Sequence, residues 1–226
     1  MRYVIVAPFY RHCSAGHRAL YELQKHLVRA GQDSMVLNYP ASLEDDDIVI
    51  YPEIVWGNPF NAKRVVRYIL APPAMLGGPA SFDPSEMRVA YNSICAPHAD
   101  GHILMVPVIE DFFVDRGEPR TVDCVYGGRG LITNHPVTES ATKIDRRFIG
   151  QEWPKNRHDM ANLLNETRTL YTYDDMTTLA DEARLCGCDV KLIRGDEVLE
   201  YPHPVPDFSR FPAQLREFIE RTQGRK

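Results

Sequence analysis

The 226-residue chain has no surplus of positive charge: Lys and Arg number 26 against 31 Asp and Glu, for a formal net charge of −5. That balance excludes a protein that holds nucleic acid or anionic membrane through bulk charge, and leaves only a local basic patch for acidic substrates. No apolar stretch approaches the length of a spanning helix, and the N-terminus shows no basic region followed by an apolar segment and a small-residue cleavage site. The expectation is a cytoplasmic protein. The five cysteines are odd in number and lack framework spacing, which argues against a disulfide scaffold. Cys186 and Cys188 stand too close together, with no second Cys/His pair, for a zinc site. The fingerprint G-x-G-x-x-G is also missing, so a dinucleotide cofactor is not indicated.

What is present suffices for one large core or two small ones, since 44% of the residues are hydrophobic. The first half reads β-α-β-β-α. Residues 3–7 form a short apolar run that leads into a loop ending Ser14-Ala15-Gly16-His17. Ala19, Leu20, Leu23, Leu27 and Ala30 then make a 3.6-residue stripe, with Gly31 placed to cap it and residues 35–37 to follow as a strand. Strand, Gly-bearing loop and amphipathic helix in that order open a Rossmann-like unit. Residues 48–51 read as a strand, Val65, Val66, Ile69 and Leu70 as a helix, and residues 88–94 and 103–106 as further strands. Asp45-Asp46-Asp47 precedes a strand instead of following one, so it reads as a solvated acidic turn and no metal site is expected.

A polar stretch within residues 108–121 looks like a linker, after which the pattern restarts. Residues 122–126 form a strand that ends in Gly127-Gly128-Arg129-Gly130, a backbone nest for an anion or a simple glycine turn. Lys143 lies in a basic cluster that supplies a second cation, and Arg157 opens a helix through Met160, Leu163 and Leu164. Residues 169–193 then read strand, loop, helix, turn, strand. Asp174 and Asp175 offer N-cap chemistry, Met176-Thr177-Thr178 starts the helix, Leu179, Ala183 and Leu185 give its stripe, and Gly187 ends it. A helix start beyond a strand favours phosphate, and two carboxylates, Asp174 and Glu182, flank it. The residues alone equally describe a surface helix with an acidic N-terminus.

Asp174-x7-Glu182, with Glu182-Ala183 leading into Cys186-Gly187-Cys188-Asp189-Val190, resembles the E-x7-E and "EA-x-x-CG-x-PV" segment of GT-B nucleotide-sugar glycosyltransferases, in a small bacterial or phage version. Two positions depart from that pattern: Asp174 replaces the first Glu, and Asp189 replaces Pro. Tyr51-Pro52-Glu53-Ile54-Val55 with Gly57-Asn58-Pro59 is similar to a "YPE-(I/V)-V-x-GNP" segment of short bacterial glycosyltransferase-like chains, and the Gly16 loop resembles the small-residue loop that opens their first domain.

The resemblance implies a pared-down GT-B architecture, two Rossmann-like lobes facing a cleft. Residues 1–110 would form the acceptor side, 111–207 the donor side, and 208–226 a C-terminal helix packing back toward the first lobe. It implies a nucleotide diphosphate sugar as co-substrate, UDP-sugar favoured, with no metal or other cofactor. Gly16, Arg129, Gly130, Lys143, Met176, Thr177 and Thr178 would hold the diphosphate, Asp174 the sugar hydroxyls and Glu182 the ribose. Glu53, His17 and His98 are the candidate bases for an acceptor hydroxyl. A glycan or lipid-linked glycan is the expected acceptor. The alternatives are a modified DNA base of phage type and a sugar-nucleotide-binding protein without catalysis. Residues 1–110 carry nine Lys and Arg against eleven Asp and Glu, which gives the DNA alternative no basic lobe.

Overall fold

The computed structural model describes residues 1–38, 42–128, 146–150 and 152–224, the side chain of Arg146 excepted. The chain is α/β, with a six-stranded parallel sheet and a mixed five-stranded sheet, both Rossmann-like. It divides into two compact units, Met1–Val108 with Asp207–Lys226, and Ile109–Pro206.

The first unit runs β1 (Tyr3–Val6), α1 (Ala15–Arg29), β2 (Ser34–Leu37), β3 (Ile48–Pro52), β4 (Arg64–Ile69), β5 (Met87–Ala90) and β6 (His102–Ile103). Its sheet order is β2-β1-β3-β4-β5-β6. Ser14 caps α1, its Oγ accepting the His17 amide at 3.3 Å, and Gly31 follows the helix at φ 77°. One face of the sheet buries Tyr3, Ile5, Ile50, Val66 and Tyr68 beneath Leu20, Leu23 and Leu27 of α1 and Phe211, Leu215 and Phe218 of the C-terminal helix, Phe211–Gly224. That helix is anchored at its far end, where the Tyr3 hydroxyl lies 2.7 Å from Thr222 Oγ1 and Arg64 donates to the Thr222 carbonyl at 2.8 Å.

The stretch around residues 65–70, expected as a helix, is instead strand β4. Val65, Val66, Ile69 and Leu70 fit a helical stripe, yet Val66 and Tyr68 face one layer of core while Val65 faces the other. Two β-branched neighbours held between β3 and β5 take the period of two. Among the described residues before Val108, α1 is thus the one α-helix where the β-α-β-β-α reading expects two. On its second face, loop residues Leu43, Val55 and Phe60 cover Val4, Val49 and Tyr51.

The second unit runs β7 (Val122–Tyr126), β8 (Arg146–Ile149), α2 (Arg157–Glu166), β9 (Thr167–Thr172), α3 (Thr178–Leu185), β10 (Asp189–Arg194) and β11 (Glu197–Glu200). The C-terminal helix named above is α4. Sheet order is β11-β10-β9-β7-β8, with only the β10–β11 pair antiparallel. Its core gathers Cys124, Leu163, Leu164, Leu170, Leu179, Ala183 and Val190. The cysteines in it are free thiols. Burial pushes the Cys186 thiol up to about 11 and the Cys188 thiol up to about 12, so both are neutral packing groups.

Among the described residues, no helix is long and apolar enough to cross a membrane.

Candidate functional site

In a parallel sheet, ligands gather outside the carboxyl ends of strands where the order reverses. In the second unit that place lies between β7 and β9, because β7 pairs with β8 on one side and with β9 on the other. The chain leaves β7 through Gly127-Gly128 and leaves β9 through Tyr173-Asp174 toward α3. The two exits touch: the Tyr173 amide donates to the Tyr126 carbonyl at 3.2 Å. Gly128 has φ 51°, and a Cβ there would lie 2.6 Å from Tyr126 Cε1 and 2.7 Å from Asp174 Oδ2. Only glycine permits that turn to lie against the carboxylate.

Asp174 is buried, at 4% exposure, and Asp174 Oδ1 accepts the Met176 amide at 3.0 Å in a turn that precedes α3. The expected N-caps, Asp174 and Asp175, are not the cap. Thr177 is, its Oγ1 accepting the Leu179 amide at 3.2 Å, and Asp175 pairs with Arg194. The helix begins later because Asp174 spends its carboxylate on the turn. Tyr201 closes the far side of the start: its hydroxyl accepts the Thr177 amide at 3.2 Å, and burial with nearby acids raises its pKa. Met176 and Thr178 are half-buried beside it.

Glu182 lies elsewhere. It is 1% exposed, on the side of α3 that faces the start of α2, where both its oxygens accept from Arg157 at 2.6 and 3.0 Å. The same guanidinium donates to Glu110 at 2.8 and 3.1 Å and lies 4.4 Å from the Phe113 ring centroid. The expected ribose contact and this ion pair compete for the same two oxygens. Arg157 and Glu110 had no role in the sequence reading beyond a helix start and a linker. The signal available was Asn156, whose N-cap bond to the Asp159 amide fixes Arg157 at the first helical position. Asp181, one residue before Glu182, was also missed. Burial, reinforced by Glu182 and opposed by Arg184, pushes its carboxyl up to about 7. Arg129, Gly130 and Lys143 lie outside the described residues.

In the first unit the order reverses between β1 and β3. The loop after β1 ends at the start of α1, and Glu53 follows β3. Glu53 is 3% exposed, and its Oε2 accepts the Leu70 amide at 2.9 Å. Leu70 in turn touches Gly16, where an added Cβ would sit 3.7 Å from Leu70 Cδ1. The fold therefore has room for a side chain at Gly16. His17 is half-buried, its ring bonded to the Phe9 backbone, and its pKa is lowered by burial, helped by Arg11. Neither His17 Nδ1 nor His12 Nε2 has a partner among the described residues. The structure thus gathers Gly16, His17 and Glu53 at one switch point. His98 is exposed in the 3-10 turn Ala96–His98 beyond β5, two strands from β3. Among the described residues, no group of three or more His, Cys, Asp or Glu is placed to hold a metal ion.

Comparison with known proteins yields no matching family model, no matching curated protein and no matching solved structure.

Proposed function

We propose that the chain transfers a glycosyl group from a nucleotide diphosphate sugar, UDP-sugar favoured, to an acceptor hydroxyl of a glycan or lipid-linked glycan, in the manner of a GT-B enzyme. The observation that carries this reading is the meeting of the Gly127-Gly128 turn with Asp174 and the α3 start at the switch point of the second sheet. A turn that tolerates no Cβ, a helix N-terminus and a carboxylate supply the three things a sugar diphosphate needs: close backbone approach, a positive dipole end and an acceptor for sugar hydroxyls.

In this reading Arg129 and Lys143 bring positive charge to the diphosphate, and the Thr178 amide at the α3 start orients it, the Met176 and Thr177 amides being given to Asp174 Oδ1 and the Tyr201 hydroxyl. Fixed donors stabilise the charge that develops on the β-phosphate as the glycosidic bond breaks. Glu182 contributes through Arg157: the ion pair holds α3 against the start of α2, and so helps fix the direction in which Asp174 and Thr177 point. The first unit serves the acceptor. His17, whose pKa is lowered by burial, and the exposed His98 are the candidate bases, whereas Glu53 Oε2 is occupied by the Leu70 amide.

The test is a panel of UDP-, GDP- and TDP-sugars scored for hydrolysis, transfer and thermal stabilisation. At least one sugar nucleotide should raise the unfolding temperature in a concentration-dependent way and be turned over. Gly128→Ala should weaken that binding about tenfold by forcing Asp174 off its turn. Stabilisation without turnover would leave a sugar-nucleotide-binding protein. No stabilisation by any member would overturn the reading.

A further inference from the structure

The carboxyl edge of the first unit's sheet carries a surface feature that sugar transfer does not require. Six large apolar side chains stand exposed there, on three loops: Phe9 (74%) and Tyr10 after β1, Ile54 and Trp56 (68%) after β3, and Met75 and Leu76 after β4. The loops form one surface. The His17 ring bonds the Phe9 backbone, Gly16 beside it touches Leu70, and the Leu70 amide bonds Glu53. Gly78 packs so closely on the Glu53 carbonyl and Ile54 Cα that a Cβ would lie 2.5 and 2.7 Å from them. Trp56 Nε1 donates to the Gly77 carbonyl at 3.1 Å. The loop carrying Phe9 and Tyr10 is equally fixed: Asn38 donates to the carbonyls of Ala7 and Pro8, Tyr21 donates to Pro8, and the rings of Tyr10 and Tyr21 meet edge to face at 5.2 Å. Apolar side chains held outward by a rigid frame differ from apolar side chains on a frayed loop.

Charge is sorted to match. Across residues 7–14, 53–62, 70–82 and 91–99 the only formally charged side chains are Arg11, which is exposed, and Glu53, which is buried. Many acids of this unit lie toward the opposite edge: Asp33, Glu44, Asp45, Asp46 and Asp47 before β2 and β3, Asp83 and Glu86 before β5, and Asp100 before β6. A protein partner is ordinarily steered and held in register by complementary charges around an apolar centre, and these loops offer almost none. A bilayer interface needs none. It accepts Trp, Tyr, Phe and aliphatic tips, tolerates a lone arginine that reaches the headgroups, and penalises buried carboxylates.

We propose that this edge docks on the interfacial region of a lipid bilayer, inserting the Phe9, Trp56 and Met75-Leu76 tips with the acidic edge turned away. Docking of this kind is peripheral and driven by apolar burial, so it survives high salt and does not require anionic lipid.

Flotation of the full chain with vesicles of pure phosphatidylcholine, and of equimolar phosphatidylcholine and phosphatidylglycerol, tests it without reference to turnover, so its failure is separable from failure of the transfer reading. The protein should float with both kinds of vesicle, in low and high salt. In a Trp153→Phe background, Trp56 emission should shift to the blue on vesicle addition. Phe9→Ser with Leu76→Ser, both at exposed positions, should lower the partition coefficient roughly tenfold or more while leaving the unfolding temperature unchanged. Trp56→Ser should lower it as well. Absence of flotation on both vesicle types overturns the proposal, as does unaltered flotation of the Phe9/Leu76 variant. Self-association in solution that the same variant abolishes, without flotation, overturns it in favour of a protein interface.

Discussion

Replacing Arg157 by Met tests whether α3 is held against the start of α2 by a buried ion pair or only happens to lie near one. Arg157 stands between two carboxylates, and its side chain is 11% exposed, that of Glu182 1% and that of Glu110 32%. Removing the cation leaves Glu182 in the interior without its guanidinium, the circumstance in which buried pairs show their full cost, about 4–5 kcal/mol. The reciprocal change, Glu182→Leu, leaves Arg157 with Glu110 at 2.8 and 3.1 Å, so its cost falls to about 2–3 kcal/mol. The double variant removes both charges and leaves Glu110, the one best reached by water. Its cost should be about 3 kcal/mol, well below the sum of the singles. In a unit of about 100 residues each kcal/mol corresponds to roughly 4–8 °C of unfolding temperature, so Arg157→Met should lower that of the second unit by at least about 16 °C. Calorimetry is the assay, with the transition of the second unit followed separately because a two-unit chain need not unfold in one step. An Arg157→Met midpoint within about 2 °C of wild type, or a double variant as damaged as the two singles combined, would refute the reasoning.

Two further outcomes follow from single residues. Asp181 has its carboxyl pushed up to about 7 from an unfolded value of 3.8, so the folded state binds the extra proton. Its contribution is complete below the unfolded pKa and is lost as pH rises through about 7, which makes this residue destabilising at alkaline pH. Asp181→Asn should therefore flatten the fall in stability between pH 4 and 8 and exceed wild type at pH 8; parallel profiles in thermal melts would contradict this. Gly78→Ala would place a Cβ 2.5 Å from the Glu53 carbonyl oxygen, a backbone atom that cannot step aside alone. A loss of about 1–3 kcal/mol is expected in denaturant unfolding, and an unchanged midpoint would show that the residue 53–57 loop yields easily.

Much of the fold was legible because local chemistry and tertiary context agreed. The stripe at Leu20, Leu23 and Leu27, with Ser14 before it and Gly31 after it, specifies α1 without help, and the apolar runs at β1, β3 and β7 needed only a neighbour to pair with. Residues 65–70 were ambiguous for a physical reason: Val65, Val66, Ile69 and Leu70 satisfy a helical stripe, while Val66 and Tyr68 alternate with Val65 and Arg67. The deciding fact was the guanidinium of Arg67, which bonds Glu86, Val55 and Gly57 in the layer beyond the sheet. No local pattern discloses that. In the candidate site, the helix start at residues 176–178 was visible and its cap was displaced by two to three residues, because a carboxylate that can cap a helix can equally close a turn.

The fate of Glu182 shows where spacing alone runs out. Eight residues after Asp174, it lies on a helix whose face is chosen by what α2 presents, and α2 presents Arg157 from its first position. Sequence spacing fixes how far apart two acids stand along a helix, but the angle between their directions depends on where the helix begins. Here Asp174 precedes α3 in an Asx turn, so the helical periodicity that would align it with Glu182 does not extend to it. The carboxylate left in contact with the glycine turn is Asp174, and the donor site proposed for the second unit is accordingly centred there.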